Sequence, residues 1–260
     1  MPKVTVNNVA SVAIIYPEID PTRVFLCQYD DGYPAVVFRG MYNPIGGNWI
    51  GPLAVSDQGP RCTIKRELQE ELVLGGPPAD RQELVSLGLV DQIDADEKVS
   101  GETTVGADPN DAWTLIQIRS SIQEALRPWG SYYHLAPKAV FDASDTLNKR
   151  GDTSTLVCCW LAPLGPEVWS HLARLQTKYG NLTNEGYTRV TSLDEIVDEG
   201  RMIAWGHRQA YCDFWMSKNL THEQDVRCIE SIQSRYVGPI PASYDEILTR
   251  YHVLRTQFNA

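Results

Sequence analysis

The sequence predicts an α+β protein in which residues 1–200 build a mixed sheet with packed helices and residues 201–260 form a helical C-terminal extension. Three observations carry this. The chain opens on β-rich runs, an amphipathic helix follows a glycine- and proline-punctuated loop, and helical periodicity dominates beyond residue 200. With 260 residues and a hydrophobic fraction of 43%, the chain can bury a sizeable core.

Taken in order, "VASVAIIYP", "RVFLCQYDD" and "YPAVVFRG" read as three early strands, with Asp31-Gly32 as a hairpin turn between the last two. "NPIGGNW" interrupts them, because Pro44, Gly46 and Gly47 mark a loop or strand end where the backbone needs unusual freedom. A helix starts near Gly59-Pro60, proline being favoured in a first turn, and ends by Gly75-Gly76-Pro77-Pro78. "ELVSLGLV" is a further strand, and "DQIDADEKVSGETTVGADPND" is a long acidic loop without apolar periodicity. "DAWTLIQIRSSIQEAL" and "GPEVWSHLARLQTKYG" are helical, with the buried strand "TSTLVCCWLAPL" between them. "YTRVTSLDEIVDEG" reads as a strand followed by a short helix capped by Ser192. "HRQAYCDFWMSKN" and "SYDEILTRYHVLRTQF" complete the chain as amphipathic helices separated by "YVGPIPASY". No internal repeat or low-complexity segment interrupts this order.

The formal charge of -10, from 33 acidic and 23 basic residues, argues against an extended nucleic-acid or anionic-lipid surface. An anionic substrate would need a compensating cation, and a divalent metal is the simplest one. The apolar run Val9 to Ile15 is too short to span a bilayer and lacks the charged start and small-residue exit of a signal peptide. It is expected to be a strand of a cytoplasmic protein with no membrane partner. Six cysteines without a C-x-x-C pair fit buried, reduced thiols, and adjacent Cys158 and Cys159 should face opposite sides of their strand.

The chemistry concentrates in "TIKRELQEELVL", residues 63–74. On a helix Glu67, Glu70 and Glu71 stand at i, i+3 and i+4 and share one face, while Ile64, Leu68 and Leu72 form the neighbouring apolar stripe. Repulsion among exposed carboxylates costs a few tenths of a kcal/mol per pair, about what a solvated acidic face tolerates. The same cluster also suits Mg²⁺, which takes oxygen ligands. Arg66 can hold Glu70 by an i,i+4 pair. The spacing alone leaves both readings open.

"NPIGG" followed by "RELQEELVL" resembles the Nudix hydrolase signature, G-x5-E-x7-R-E-U-x-E-E-x-G-U with U aliphatic. The match covers Arg66, Glu67, Leu68, Glu70, Glu71 and Leu74, with Gly47 as the first glycine. The loop before the helix carries about five residues more than the signature, its first glutamate falls on Gln58 beside Asp57, and its last glycine falls on Val73. The resemblance implies a Nudix-like α/β/α sandwich and a loop-helix-loop that binds metal and a diphosphate.

On that resemblance Glu67, Glu70 and Glu71 would hold Mg²⁺, or Mn²⁺ in its place. Glu67 and Glu70 would act in catalysis, and Arg66 would orient them. Glu185, in "NLTNEGYTRV", is a candidate general base, with Glu102 in the acidic loop as another. Arg39, Gly47 and Trp49 are candidates for gripping substrate, as is Tyr16, with core packing the competing reading for both aromatics. The expected substrate is a small nucleotide derivative, a nucleoside diphosphate sugar or ADP-ribose-like compound ahead of a nucleoside triphosphate. The rival is a Nudix-like binding or regulatory module that has lost hydrolysis. No nucleic-acid partner is expected, and the C-terminal helices are compatible with a homodimer. The five histidines show no metal-ligand spacing, and a cap or surface role is the plain reading of His207.

Overall fold

The computed structural model describes residues 5–33, 35–51, 57–74, 108–137, 152–183, 186–193, 195, 202–218, 227, 229 and 232–253. An eight-stranded mixed sheet organises them. The strands are β1 (Thr5–Val6), β2 (Asn8–Pro17), β3 (Arg23–Tyr29), β4 (Tyr42–Asn43), β5 (Ile45–Asn48), β6 (Arg127–Ala136), β7 (Thr153–Leu164), β8 (Gly186–Ser192), β9 (Gln233–Gly238) and β10 (His252–Val253). The helices are α1 (Pro60–Glu71), α2 (Pro109–Ala125), α3 (Pro166–Tyr179), α4 (Arg208–Ser217) and α5 (Tyr244–Arg250).

β2 and β7 pair in parallel along their length, and the sheet continues antiparallel through β6 to β9. This central pair is nearly continuously apolar because both of its faces are covered. One face carries Ala13, Ile15, Phe25, Trp160 and Ala162, on which α1, α2 and α3 bury Ile64, Leu68, Leu115, Ile118, Leu172 and Leu175. The other carries Val12, Ile14, Val157 and Cys159, covered by Tyr211, Phe214 and Trp215 of α4. Cys158 and Cys159 therefore enter different clusters, as strand alternation requires. Cys62, Cys158 and Cys159 are free thiols.

On the other side of β2 the strands part. The segment 42–48 pairs with β3 through β4, then with β2 through β5, while β3 meets β2 directly only further along, at Ile15 and Phe25. β8 completes that side, antiparallel to β3.

Two sequence expectations need correction, and one strand has no counterpart in the sequence reading. "YPAVVFRG" is not a strand. Val36–Phe38 forms a 3-10 turn, which puts Ala35 and Phe38 on one side, both buried and Phe38 against Trp205 at 4.2 Å, and Gly40 at φ +76° then reverses the chain. The C-terminal part is not purely helical, since β9 covers the edge of β6 and β10 pairs in parallel with β1. α5 accordingly stops at Arg250. "RPWGSYYHLA", assigned no element from sequence, is β6, with a bulge between Pro128 and Gly130.

"ELVSLGLV" and the acidic loop up to residue 107, with Glu102, lie outside the described residues. The last residues of that stretch begin α2, where Asp108 caps Asn110 N at 2.9 Å. Among the described residues no helix is long and apolar enough to cross a membrane.

Candidate functional site

α1 begins with Pro60 at its first position and docks through Ile64, Leu68 and Leu72, all fully buried. That docking fixes the helix's rotation and turns Glu67 and Glu71 towards β5. Two glycines let β5 approach. At Gly46 (φ +142°) a Cβ would lie 2.2 Å from the Ser11 carbonyl oxygen, so no side chain is tolerated. At Gly47 a Cβ would lie 2.5 Å from the Glu67 carboxylate. Gly46 N donates to Glu71 Oε2 at 3.1 Å. Both carboxylates are buried, 7% and 6% exposed.

Arg66 ties the acidic residues together. Nη1 donates to Glu70 Oε2 at 2.7 Å, and Nη2 to Glu67 Oε1 at 2.6 Å and to the Asn48 carbonyl at 2.7 Å. Asp57 Oδ2 lies 3.4 Å from the same Nη2. Burial works against the guanidinium's charge, but Glu67, Glu70 and Asp57 outweigh it and hold the group above its ordinary pKa.

Asp57 is engaged in structure. Its carboxylate accepts from Thr63 Oγ1 and from Ile50 N at 3.4 Å, and its carbonyl from Trp49 Nε1 at 3.0 Å. Thr63 spends its one proton on Asp57, so the Tyr244 hydroxyl on its other side is the donor to Thr63. Gln58 is exposed.

A cavity of about 300 Å³ runs over the sheet face beside these groups. Its floor is formed by alternate residues: Asn8, Ala10 and Val12 of β2, and Thr153, Thr155 and Val157 of β7. Gly46, Gly47, Glu67 and Glu71 line it where α1 meets β5, and Asn43, Asn48, Ile50, Tyr29, Tyr33, His134, Trp205 and His207 complete the lining. Asn8, Thr155 and His134 are register partners across β2, β7 and β6, so His134 stands three strand spacings from β5, about 14 Å. No lysine or arginine is among the described residues lining the cavity.

Several rings contribute to the lining. Tyr29 and Tyr33 stack at 3.6 Å, and Trp205 donates from Nε1 to Tyr29 Oη at 3.1 Å. Trp205 holds a left-handed backbone, φ +56°, unusual for a bulky residue. Burial pulls the His134 pKa down to about 4; burial, then the neighbouring His134, pulls His207 down to about 3. Both imidazoles are neutral at physiological pH.

The predicted site residues thus separate. Glu67, Glu71 and Gly47 face the cavity. Glu70, half-exposed and held by Arg66, is not among its lining residues. Trp49 is buried and stacked on Tyr244 at 3.8 Å, Arg39 is exposed with Nε on the Tyr33 carbonyl at 2.8 Å, and Tyr16 packs on Phe214 at 4.8 Å. None of these three lines the cavity. Glu185 lies outside the described residues. His207 is neither a side-chain cap nor a surface group: it sits at the N-cap of α4 without a capping bond, buried against the cavity. His134, one of the scattered histidines, and Trp205, in a stretch that reads as packing, carry no site signal in sequence beyond the alternation of "SYYHLA", yet both line the cavity.

Among the described residues no three His, Cys, Asp or Glu side chains form a ready-made metal cage. Two buried carboxylates on one cavity wall still suit Mg²⁺, which takes one or two carboxylates and fills its octahedron with water and substrate phosphates.

No protein-family model matches the chain, and no curated protein matches it in sequence. Among solved structures it is similar to one described as a NUDIX hydrolase from Alicyclobacillus acidocaldarius, at 10% identity and a TM-score of 0.39, over 85% of this chain and 94% of that one. A likeness at that score carries no weight for fold or chemistry.

Proposed function

We propose that the protein is a Nudix-type hydrolase that cleaves the phosphoanhydride of a nucleoside diphosphate derivative with Mg²⁺. The observation that supports this most is the buried pair Glu67 and Glu71, set against two glycines on the wall of a cavity that no described Lys or Arg lines. An anionic diphosphate can approach those carboxylates only together with a cation. When bound there, Mg²⁺ would neutralise phosphate oxygens and lower the pKa of a coordinated water.

The chain's own residues do the positioning. Glu67 and Glu71 hold the cation. Arg66 fixes Glu67 from behind while holding Glu70, which joins the ligand set only by leaving Arg66. Gly46 N orients Glu71. Glu185 remains the proposed general base. A nucleoside diphosphate sugar or ADP-ribose-like compound is the preferred substrate over a nucleoside triphosphate.

One observation favours a second reading, a nucleotide-binding module with weakened hydrolysis. Gln58 is exposed and neutral, and Asp57, the acidic residue beside it, is occupied by Thr63, Ile50 and Arg66. Nucleotide release from a panel of nucleoside diphosphate derivatives, with and without Mg²⁺, separates the two. Metal-dependent turnover abolished in Glu71→Gln and reduced in Glu70→Gln supports the hydrolase. Absence of turnover across the panel supports the binding module.

A further inference from the structure

We infer that Tyr244 of α5 is a positioning residue for the acidic site: acting through Thr63 and Asp57, its hydroxyl keeps Arg66 on Glu67. Its link to catalysis rests on the reading of Glu67 as a metal ligand.

α5 is anchored beside the site by its own sequence. Ser243 caps it on Glu246 N at 3.3 Å, and Ile247 and Tyr251 pack with Val6, Val9 and Leu156. Ala242, just before it, lies against the start of α1, where a Cβ on Gly59 would meet the Ala242 carbonyl at 3.1 Å. Tyr244 is thereby held with its ring on Trp49 at 3.8 Å and its hydroxyl on Thr63. Trp49 directly follows β5, the strand of Gly46 and Gly47. Thr63 stands one turn before Glu67, so the two share a side of α1. Burial pushes the Tyr244 phenol above its ordinary pKa, which keeps it a donor at physiological pH.

What the hydroxyl controls is a competition for Arg66. Its Nη2 carries two protons, and three acceptors surround it: Glu67 Oε1 at 2.6 Å, the Asn48 carbonyl at 2.7 Å and Asp57 Oδ2 at 3.4 Å. The two short bonds use both protons and leave Asp57 at the longest distance. The Asp57 side chain is fully buried, so its carboxylate must be satisfied within the protein. Thr63 Oγ1 supplies its short bond, 2.5 Å to Oδ1, while Ile50 N is 3.4 Å away. Thr63 can instead turn its proton to the Gly59 carbonyl at 3.4 Å. Donation from Tyr244 into the Thr63 oxygen polarises that hydroxyl and commits its proton to Asp57. Without it Asp57 loses its short bond whenever Thr63 turns away. The next donor is Arg66 Nη2, which reaches Asp57 only by loosening its grip on Glu67. A brace that was only mechanical would need the Tyr244 ring and not its hydroxyl.

Tyr244→Phe in the full chain separates the two, since it keeps the ring and removes the hydroxyl alone. In metal-free protein the NMR resonance of the Glu67 carboxyl carbon should move. Mn²⁺ binding followed by electron paramagnetic resonance should weaken about threefold or more, and kcat should fall about tenfold with KM within about twofold of wild type. Thr63→Val should reproduce these changes, the double variant should be no worse than Thr63→Val alone, and Thr63→Ser should retain wild-type values. Ile247→Val loosens α5 without touching the hydroxyls, so it should lower the Tm and leave kcat and the Glu67 resonance unchanged. If Tyr244→Phe does not fold, Thr63→Ser against Thr63→Val decides, because only the serine preserves the acceptor of the Tyr244 hydroxyl. A Tyr244→Phe protein with an unmoved Glu67 resonance overturns the inference, as does an equal effect of Ile247→Val. A moved resonance in a chain that binds no Mn²⁺ and hydrolyses nothing supports the positioning and refutes only the proposed activity. Hydrolysis with an unmoved resonance refutes only the role of Tyr244.

Discussion

Replacing Gly47 by alanine should damage the site while sparing the fold. The new Cβ would lie 2.5 Å from the Glu67 carboxylate, about 0.9 Å inside an ordinary carbon contact of about 3.4 Å. The atoms in the way belong to the end of a flexible side chain, so Glu67 can swing aside. Doing so breaks its 2.6 Å bond to Arg66 and moves a proposed metal ligand by nearly 1 Å. The stability loss is therefore small, about 1–2 kcal/mol for one charge-assisted bond partly re-formed. A misplacement of about 1 Å at reacting groups costs on the order of 10²-fold in rate. Gly46→Ala is the contrasting control: its Cβ meets the Ser11 backbone at 2.2 Å and its φ is +142°, so it should cost about 3 kcal/mol or more. Urea denaturation measures the stabilities, and Mn²⁺ titration with turnover measures the site. A Gly47→Ala protein with wild-type metal affinity and rate would refute the placement of Glu67.

Thr63→Val should destabilise by about 2–3 kcal/mol, because it strands the buried Tyr244 hydroxyl and removes a donor from buried Asp57; thermal melts showing no change would contradict the relay. Glu67→Gln should abolish Mn²⁺ binding measured by electron paramagnetic resonance, whereas Glu70→Gln should weaken it by only about tenfold or less, since Glu70 does not line the cavity. Acid should destabilise the fold through the buried His134 and His207. Both native pKa values lie below the ordinary 6.5, so the unfolded chain takes up protons first as pH falls. Their contribution is complete above pH 6.5 and is lost below it, down to about 4 for His134 and about 3 for His207. The slope is up to about 1.4 kcal/mol per pH unit for each imidazole. Urea midpoints at pH 7.5 and 5.0 should differ, and His134→Gln should shrink the difference; equal midpoints would contradict the burial argument.

Much of the fold is legible where periodicity is strong. β2, β3 and β7 are continuous apolar runs, and α1 to α4 show helical spacing with proline, glycine or aspartate at their starts. β9 is hard to read because it is an edge strand, mostly polar and with none of its residues buried, and Pro239 follows it directly. β6 was masked by Pro128 and Gly130, which read as turn residues but sit at a bulge. The i,i+4 relation of Glu67 to Glu71, and of Arg66 to Glu70, could be read directly. What spacing could not show is which carboxylates reach the cavity, because that depends on the rotation of α1 set by Ile64, Leu68 and Leu72 and on where Arg66 is drawn. The ring-bearing part of the lining was illegible for another reason. Tyr29, Tyr33, His134, Trp205 and His207 come from segments far apart in sequence, brought together only by strand register and the turn before α4.

The central claim is that Glu67 and Glu71 form the protein's share of a divalent-cation site. An anomalous difference map from crystals soaked in Mn²⁺ tests it most directly. The predicted result is a peak on the cavity side of α1, within about 2.2 Å of carboxylate oxygens from both Glu67 and Glu71, and none at Asp57. A well-occupied peak elsewhere, or no peak at saturating Mn²⁺, would contradict it.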